Sequence, residues 1–338
     1  MPRMRFSGPL PMRLQSFLAL NKIAMGTYFR HATGNRIAAD WGANFEIGIR
    51  FVRHQFTRAM AEGDMTRGRM IFDSLVAMTD DQYDVTTEPC RETRGMWFHP
   101  DKPRCDTTLL HFHGGGYAFN SAISTRHAAM LAHHTGASVF CPYYRLTPEH
   151  AHPAQAEDAL AAWHYIATKA PAEQVVISGD SAGGHMALML LQTLRTQQLP
   201  QPALCIGLCP WTDIGQRGDS LVTNNVHDLV QGWMALKFGE WLDPENRFGR
   251  QTLSPIEHDF ANLAPIYLQA GGREVLHDMI LDFANVQRQK GAEIALDVWK
   301  DMPHNFQAYD SMTLSSTAAL KKIAMAVRQR KLPSPRWS

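Results

Sequence analysis

Residues 174–184 read Gln174-Val175-Val176-Ile177-Ser178-Gly179-Asp180-Ser181-Ala182-Gly183-Gly184. The β-branched apolar run predicts a strand, and the apolar spacing that begins at Ala182 predicts a helix directly after it. The junction is a G-x-S-x-G pentad. A strand that turns this sharply into a helix needs residues without side chains beside the turn. The central serine is then held in a strained backbone region, with its oxygen lifted out of the sheet. That oxygen also lies near a helix N-terminus, whose partial positive charge favours a developing anion. Alone the pentad is weak, because average glycine usage produces one in about ten chains of this length. A glycine-rich turn ending in a helix-capping serine would read the same.

Outward from this junction the chain alternates. Short apolar strands are expected at 95–99, 107–112, 137–142, 174–178, 203–209, 265–270 and 293–299. Helices are expected at 125–135, 154–168, 182–196, 276–290 and 312–329. Alternation of this kind predicts an α/β fold, a mostly parallel sheet covered by helices on both faces. Two regions break the pattern. Residues 1–85 are helical in character, with Leu10, Leu14, Phe17 and Leu18 at amphipathic spacing and a run of methionines (Met60, Met65, Met70, Met78). The stretch from about 212 to 263 is helix-rich and aromatic (Trp233, Phe238, Trp241, Phe248), which reads as an insertion between two core strands.

Composition narrows the function classes. The chain has 338 residues, 45% of them apolar and 19% charged, as in a globular protein with a large core. Its formal net charge of +1 gives no global field toward nucleic acid. The basic C-terminal stretch (Arg328, Arg330, Lys331, Arg336) reads as a frayed end. The five cysteines are an odd number without a C-x-x-C pair; Cys141, Cys205 and Cys209 lie in apolar runs and read as small hydrophobes in a reducing compartment, and the expected location is the cytoplasm. No stretch approaches the roughly 18 apolar residues of a membrane span, so no stable membrane anchor is expected. An amphipathic N-terminal helix could touch a membrane surface, but a helical cap would bury the same apolar face.

A second glycine cluster, His113-Gly114-Gly115-Gly116, follows the expected strand at 107–112. Glycines let backbone N–H groups approach a substrate, and preorganised N–H groups stabilise the oxyanion of a tetrahedral intermediate. With Ser181 as nucleophile, the expected donors are the N–H groups of Gly114, Gly115 and Ala182. The cluster could also be a flexible loop or hold a phosphate, but the chain has neither a P-loop nor a dinucleotide-binding glycine pattern.

A serine in such a turn needs a base, and in the α/β-hydrolases an acid and then a histidine follow it in chain order. Gly272-Arg273-Glu274-Val275-Leu276-His277-Asp278 follows the strand at 265–270, and Met302-Pro303-His304-Asn305-Phe306 follows the strand at 293–299. Both segments lie past the C-terminal ends of strands, where open α/β sheets place their sites. Of sixteen histidines, only His304 has both the order and the loop position. Glu274 is the expected acid, nearer the strand end than its competitor Asp278. Asp278 would otherwise serve as a first-turn acid on a helix dipole. His111 and His113, or His133 and His134, could suggest a metal, but no spaced ligand set accompanies them, and none is expected.

Taken together, His113–Gly116, Gly179–Gly184 and Tyr144-Arg145-Leu146-Thr147-Pro148-Glu149 resemble the hormone-sensitive-lipase-like esterases, also called type IV bacterial esterases. The resemblance spans about residues 94–310. It implies an α/β-hydrolase fold with an N-terminal helical cap region (1–88) and a catalytic domain (89–330) carrying a cap insertion at about 212–262. It also implies cofactor-free hydrolysis of short- to medium-chain acyl esters, small molecules, through an acyl-enzyme. In the family the acid motif is usually Asp-Pro-Leu-x-Asp; here Glu274 holds the first position, which leaves Asp278 as a second choice. Tyr117, Phe119, Tyr144 and Trp211 are candidate substrate-binding walls, though each aromatic would equally serve core packing. A lactone or amide hydrolase would use the same residues. A non-catalytic ligand-binding relative would lack the histidine present here, and an acyltransferase would accept another alcohol. The sequence is compatible with a homodimer through an edge strand or a late helix.

Overall fold

The computed structural model describes residues 4–77 and 82–334. In chain order the N-terminal region comprises β1 (Met4–Phe6), α1 (Leu10–Ala32), α2 (Ala43–Met60), α3 (Met65–Phe72) and β2 (Leu75–Ala77), with β1 and β2 pairing antiparallel. There follow β3 (Val85–Cys90), β4 (Gly95–Pro100), β5 (Thr108–Phe112), α4 (Ala122–Thr135), β6 (Ser138–Pro142), α5 (Ala154–Ala167), β7 (Val175–Asp180), α6 (Ala182–Thr196) and β8 (Leu204–Leu208). The segment after β8 carries α7 (Ser220–Thr223), α8 (Gly232–Leu242) and α9 (Arg250–Leu253). The chain then returns to β9 (Ile266–Gly271), α10 (His277–Gln289), β10 (Ile294–Trp299) and α11 (Leu314–Gln329).

Eight strands form one sheet in the order β10-β9-β8-β7-β5-β6-β4-β3. Every pair from β10 to β6 is parallel, and β4 and β3 are antiparallel. A parallel sheet buried on both faces needs strands apolar on both sides, and β7 is buried along its whole length. Val175 and Ile177 face one core, shared with Trp163 of α5, Leu190 of α6 and Phe283 of α10. Val176 faces the other core, shared with Met130 of α4 and Ile323 and Val327 of α11. The strand-to-helix junction at Ser181 therefore lies at the C-terminal edge of a central strand, supported from both faces.

All seven expected strands are present. Besides the short β1 and β2, β3 is an addition the pattern did not reveal. It is mostly exposed, with Glu88 and Pro89 in it, as suits an edge strand that solvent must not extend. The N-terminal region differs from expectation in a second way. The apolar stripe of α1 faces solvent: Leu10, Leu14, Phe17 and Leu18 are each more than half exposed, while Ser16 and Thr27 are buried. Ser16 and Ser74 share a hydrogen bond of 2.7 Å, and Gln55 of α2 donates to both, so a polar network holds the inner face of α1. Of the basic C-terminal stretch, Arg336 lies outside the described residues, and Arg328 and Arg330 are tied down rather than frayed. Arg328 donates to the carbonyls of Thr135 and His134, and Arg330 pairs with Asp106. Among the described residues no helix is long and apolar enough to cross a membrane.

Candidate active site

Ser181 follows β7 directly, with φ 55° and ψ −118°, a region side-chain-bearing residues rarely occupy. Closing this turn requires near contact between backbones. A Cβ on Gly179 would collide with the Gly183 carbonyl, and one on Gly183 with the Phe112 carbonyl of β5. The flanking glycines are thus steric requirements of the junction.

His304 and Glu274 come from the loops after β10 and β9. Both are buried, and His304 Nδ1 lies 2.6 Å from Glu274 Oε2. The other carboxylate oxygen accepts the Gly271 N–H at 2.7 Å. Burial pushes His304 down, but the hydrogen bond and charge of Glu274, with Asp228 and Asp180 farther off, outweigh it and hold the imidazole above its ordinary value. Asp278 lies elsewhere. Its Oδ2 accepts the Ser220 N–H at 2.9 Å and its own N–H donates to Ser220 Oγ, so it anchors the segment after β8 to the first turn of α10.

One cleft is bordered by Ser181, Ala182, His304, Asn305, Gly115 and Gly116. Its apolar walls are Phe56 of α2, Trp211, Leu229 and Val230, Ala235 and Phe238 of α8, and Leu276. Four of the sequence-derived site candidates lie outside this lining. The Gly114 N–H donates to Asp180 Oδ1 at 2.9 Å and is not free to face a substrate. Tyr117 is buried with its hydroxyl 2.6 Å from His185 Nδ1. Tyr144 stacks on His113 and donates to the His113 carbonyl at 2.7 Å. Phe119 packs behind the cleft against Phe56, Phe72 and Phe238. Of the four candidate walls, Trp211 borders the cleft.

Two carboxylates organise this site that sequence reasoning missed. Asp180, the variable residue of the pentad, accepts the Gly114 N–H through Oδ1 and Asn305 Nδ2 through Oδ2 at 2.7 Å. It thereby joins the glycine loop, the serine turn and the histidine loop. Burial would raise Asp180, but the flanking His127 and His111 outweigh it and hold the carboxyl well below its usual range. Asp228, in the segment after β8, is fully buried. Its Oδ1 accepts the N–H of Leu229 at 2.8 Å and of His304 at 2.9 Å, and its Oδ2 accepts the Val275 N–H at 2.8 Å. Its carbonyl accepts Arg53 Nη1 of α2 at 2.6 Å. Burial pushes its carboxyl up to about 6, with Glu274 raising and His304 lowering it. An acid followed by Leu229-Val230 in an otherwise polar loop was the one available signal.

Among the described residues two groups of side chains are close enough to share a metal, His111-His127-Asp180 and Cys209-Glu274-His304. Their chemistry suits another role. Both oxygens of Asp180 already accept N–H donors. Burial, reinforced by Glu274, drives the Cys209 thiol far above its usual value.

Sheet order, serine turn and histidine–carboxylate pair define an α/β-hydrolase. The family model for the alpha/beta hydrolase fold matches residues 109–308. An acetyl-hydrolase of Streptomyces hygroscopicus is 32% identical over 63% of this chain and 72% of its own length. An esterase of Acinetobacter venetianus is 28% identical over 76% of this chain and 86% of its own. Among solved structures, an esterase from the bacterial hormone-sensitive lipase family superposes with a TM-score of 0.74 at 27% identity, covering 82% of this chain and 96% of that one. A mutant of the esterase E40 superposes with a TM-score of 0.76 at 28% identity, covering 84% and 98%. The chain belongs to the hormone-sensitive-lipase-like esterases of the α/β-hydrolase family.

Proposed function

We propose that this protein is a serine carboxylesterase that hydrolyses short- to medium-chain acyl esters through an acyl-enzyme, with Ser181, His304 and Glu274 as its triad. The observation that carries the reading is the buried 2.6 Å pair of His304 and Glu274 beside the cleft that Ser181 borders. Ser181 Oγ attacks the ester carbonyl as neutral His304 takes its proton at Nε2. Glu274 holds the Nδ1–H and stabilises the imidazolium. The oxyanion is met by the N–H groups of Gly115, Gly116 and Ala182, which border the cleft. Collapse of the intermediate transfers the His304 proton to the departing alkoxide and leaves the acyl group on Ser181. Water then attacks the acyl carbonyl, giving its proton to His304, and Ser181 leaves with that proton restored.

The N-terminal helices and the segment at about 212–262 act as the cap in this reading. Phe56 from the first, with Leu229, Val230, Ala235 and Phe238 from the second, wall the cleft. An apolar wall of this kind suits uncharged acyl chains of modest size. The five unpaired cysteines support action in the cytoplasm.

The test is hydrolysis of p-nitrophenyl esters from acetate to palmitate by wild type and by Ser181→Ala. The expected result is turnover that peaks at short or medium chains in the wild type and is lost in the folded variant. Retained turnover in Ser181→Ala would remove the serine from the mechanism. A peak at palmitate would overturn the chain-length assignment.

A further inference from the structure

We propose that the outer face of α1 docks the protein reversibly on an anionic lipid surface. Helix α1 is packed inside out. At about 100° per residue, Leu10, Leu14, Phe17, Leu18, Met25 and Phe29 fall on one continuous stripe roughly 120° wide. Their exposures are 62%, 52%, 51%, 65%, 73% and 71%. Ser16 and Thr27, the buried residues, lie on the opposite side. Tyr28 falls in the same stripe, half exposed, with its hydroxyl donating to Asn44. The one polar side chain within the stripe, Asn21, turns back to donate to the Phe17 carbonyl at 2.8 Å. Scattered apolar residues are ordinary on a protein surface, but a contiguous run of this size marks an interaction site.

Charge selects the occupant. Arg13 borders the stripe on one side and Lys22 on the other, and the helix contains no acidic residue. An apolar stripe with basic rims lies naturally at a lipid interface, its rings and aliphatic chains among the acyl groups and its cations at anionic headgroups. A second copy of the chain fits less well. Two α1 helices packed stripe to stripe and antiparallel about a two-fold axis would bring Lys22 against Lys22 at mid-helix, with no carboxylate in the helix to offset it. The inner side of α1 rests on α2, which carries Phe56 at the cleft, so the docked face belongs to the cap side of the molecule. This inference does not depend on the catalytic reading.

The test uses the full chain and co-sedimentation with vesicles of phosphatidylcholine alone or mixed with phosphatidylglycerol. Wild type is expected to bind the anionic vesicles at least tenfold more than the neutral ones, with binding weakened by salt. Leu14→Glu/Leu18→Glu and Arg13→Glu/Lys22→Glu are each expected to reduce bound protein at least tenfold, with unchanged circular dichroism and unchanged hydrolysis of p-nitrophenyl acetate. Because these side chains are exposed, their replacement leaves the core intact. Equal binding of wild type and variants, or no binding to anionic vesicles, overturns the proposal. So does a wild-type dimer in light scattering that Leu14→Glu/Leu18→Glu converts to monomer without any vesicle binding.

Discussion

Glu274→Gln tests the proposed triad at the point where the structure is most specific. Each oxygen of Glu274 serves one donor, Oε1 the Gly271 N–H and Oε2 the His304 Nδ1–H. A carboxamide has one oxygen and can serve one of them. If the oxygen turns to His304, the amide NH2 faces the Gly271 N–H, and a buried backbone donor is orphaned at a cost of about 1–3 kcal/mol. If the oxygen stays with Gly271, the NH2 faces His304 Nδ1, and the imidazole adapts by moving its proton to Nε2. That tautomer orphans no buried donor, so the second arrangement wins. It also places a proton on the nitrogen that must accept one from Ser181. The expected loss in kcat is on the order of 10³–10⁴-fold, about 4–5.5 kcal/mol of transition-state stabilisation. The assay is steady-state hydrolysis of p-nitrophenyl acetate, with thermal melting to confirm the fold. Asp278→Asn is the control and should stay within about threefold, since Asp278 bonds Ser220 and not His304. A Glu274→Gln enzyme within tenfold of wild type would refute the tautomer argument. A larger loss in Asp278→Asn would move the acid to Asp278.

In the proposed mechanism His304 must be neutral to accept the serine proton, and Glu274 holds it above its ordinary 6.5. The acid limb of kcat/KM should therefore have its midpoint above pH 6.5, and a midpoint below it would contradict the assignment. Asp228→Asn removes a carboxylate that favours the imidazolium, so this limb should move to lower pH and kcat should fall; an unmoved limb would deny the electrostatic link. The same variant has a stability signature. A carboxyl raised to about 6 in the fold, against roughly 3.9 in the unfolded chain, contributes stability below about pH 4 that is lost as pH rises through 6. Relative to wild type, Asp228→Asn should gain on the order of 2–3 kcal/mol between pH 4 and pH 7 in denaturant titrations, and a pH-independent difference would refute it. Asp180→Asn keeps an oxygen for the Gly114 N–H but loses the carboxylate and must turn the Asn305 amide over to hold it, and its kcat should drop about 10- to 100-fold, less than deletion of an oxyanion donor. Full activity in that variant would mean the glycine loop holds itself.

The central strands were legible because a parallel sheet buried on both faces requires unbroken apolar runs, and Val175-Val176-Ile177 and Leu109-Leu110 are such runs. The edge strand β3 was not, since exposure frees it to carry Thr86, Thr87, Glu88 and Pro89. The stripe on α1 was visible as a period, but a period does not say which way it faces. Ser16, Gln55 and Ser74 decided that by building a polar contact from residues far apart in sequence. At the site, Glu274 and His304 lay at strand ends in readable order, and the structure pairs them. Gly114 was misread because the aim of a backbone N–H depends on the acceptor across the turn, here Asp180. For Tyr117 and Tyr144 the sequence left core packing and cleft lining both open, and each hydroxyl finds a partner in the interior, His185 or His113, with the ring in the core. Asp228 could not be placed, because its partners Val275 and His304 are brought to it only by the return of the chain through β9 and β10.

The position of Asp228 bears on recombination. The segment between β8 and β9 supplies most of the cleft wall, which makes it the obvious piece to exchange between relatives when a different acyl chain is wanted. Yet the same segment carries the carboxylate that receives the N–H groups of Val275 and His304. A chimaera joined at the ends of this segment would inherit its new wall and its new triad support as one unit. Exchange of selectivity without damage to turnover thus demands a donor segment with an acid at this place, or crossover points that leave residues 226–230 with the host.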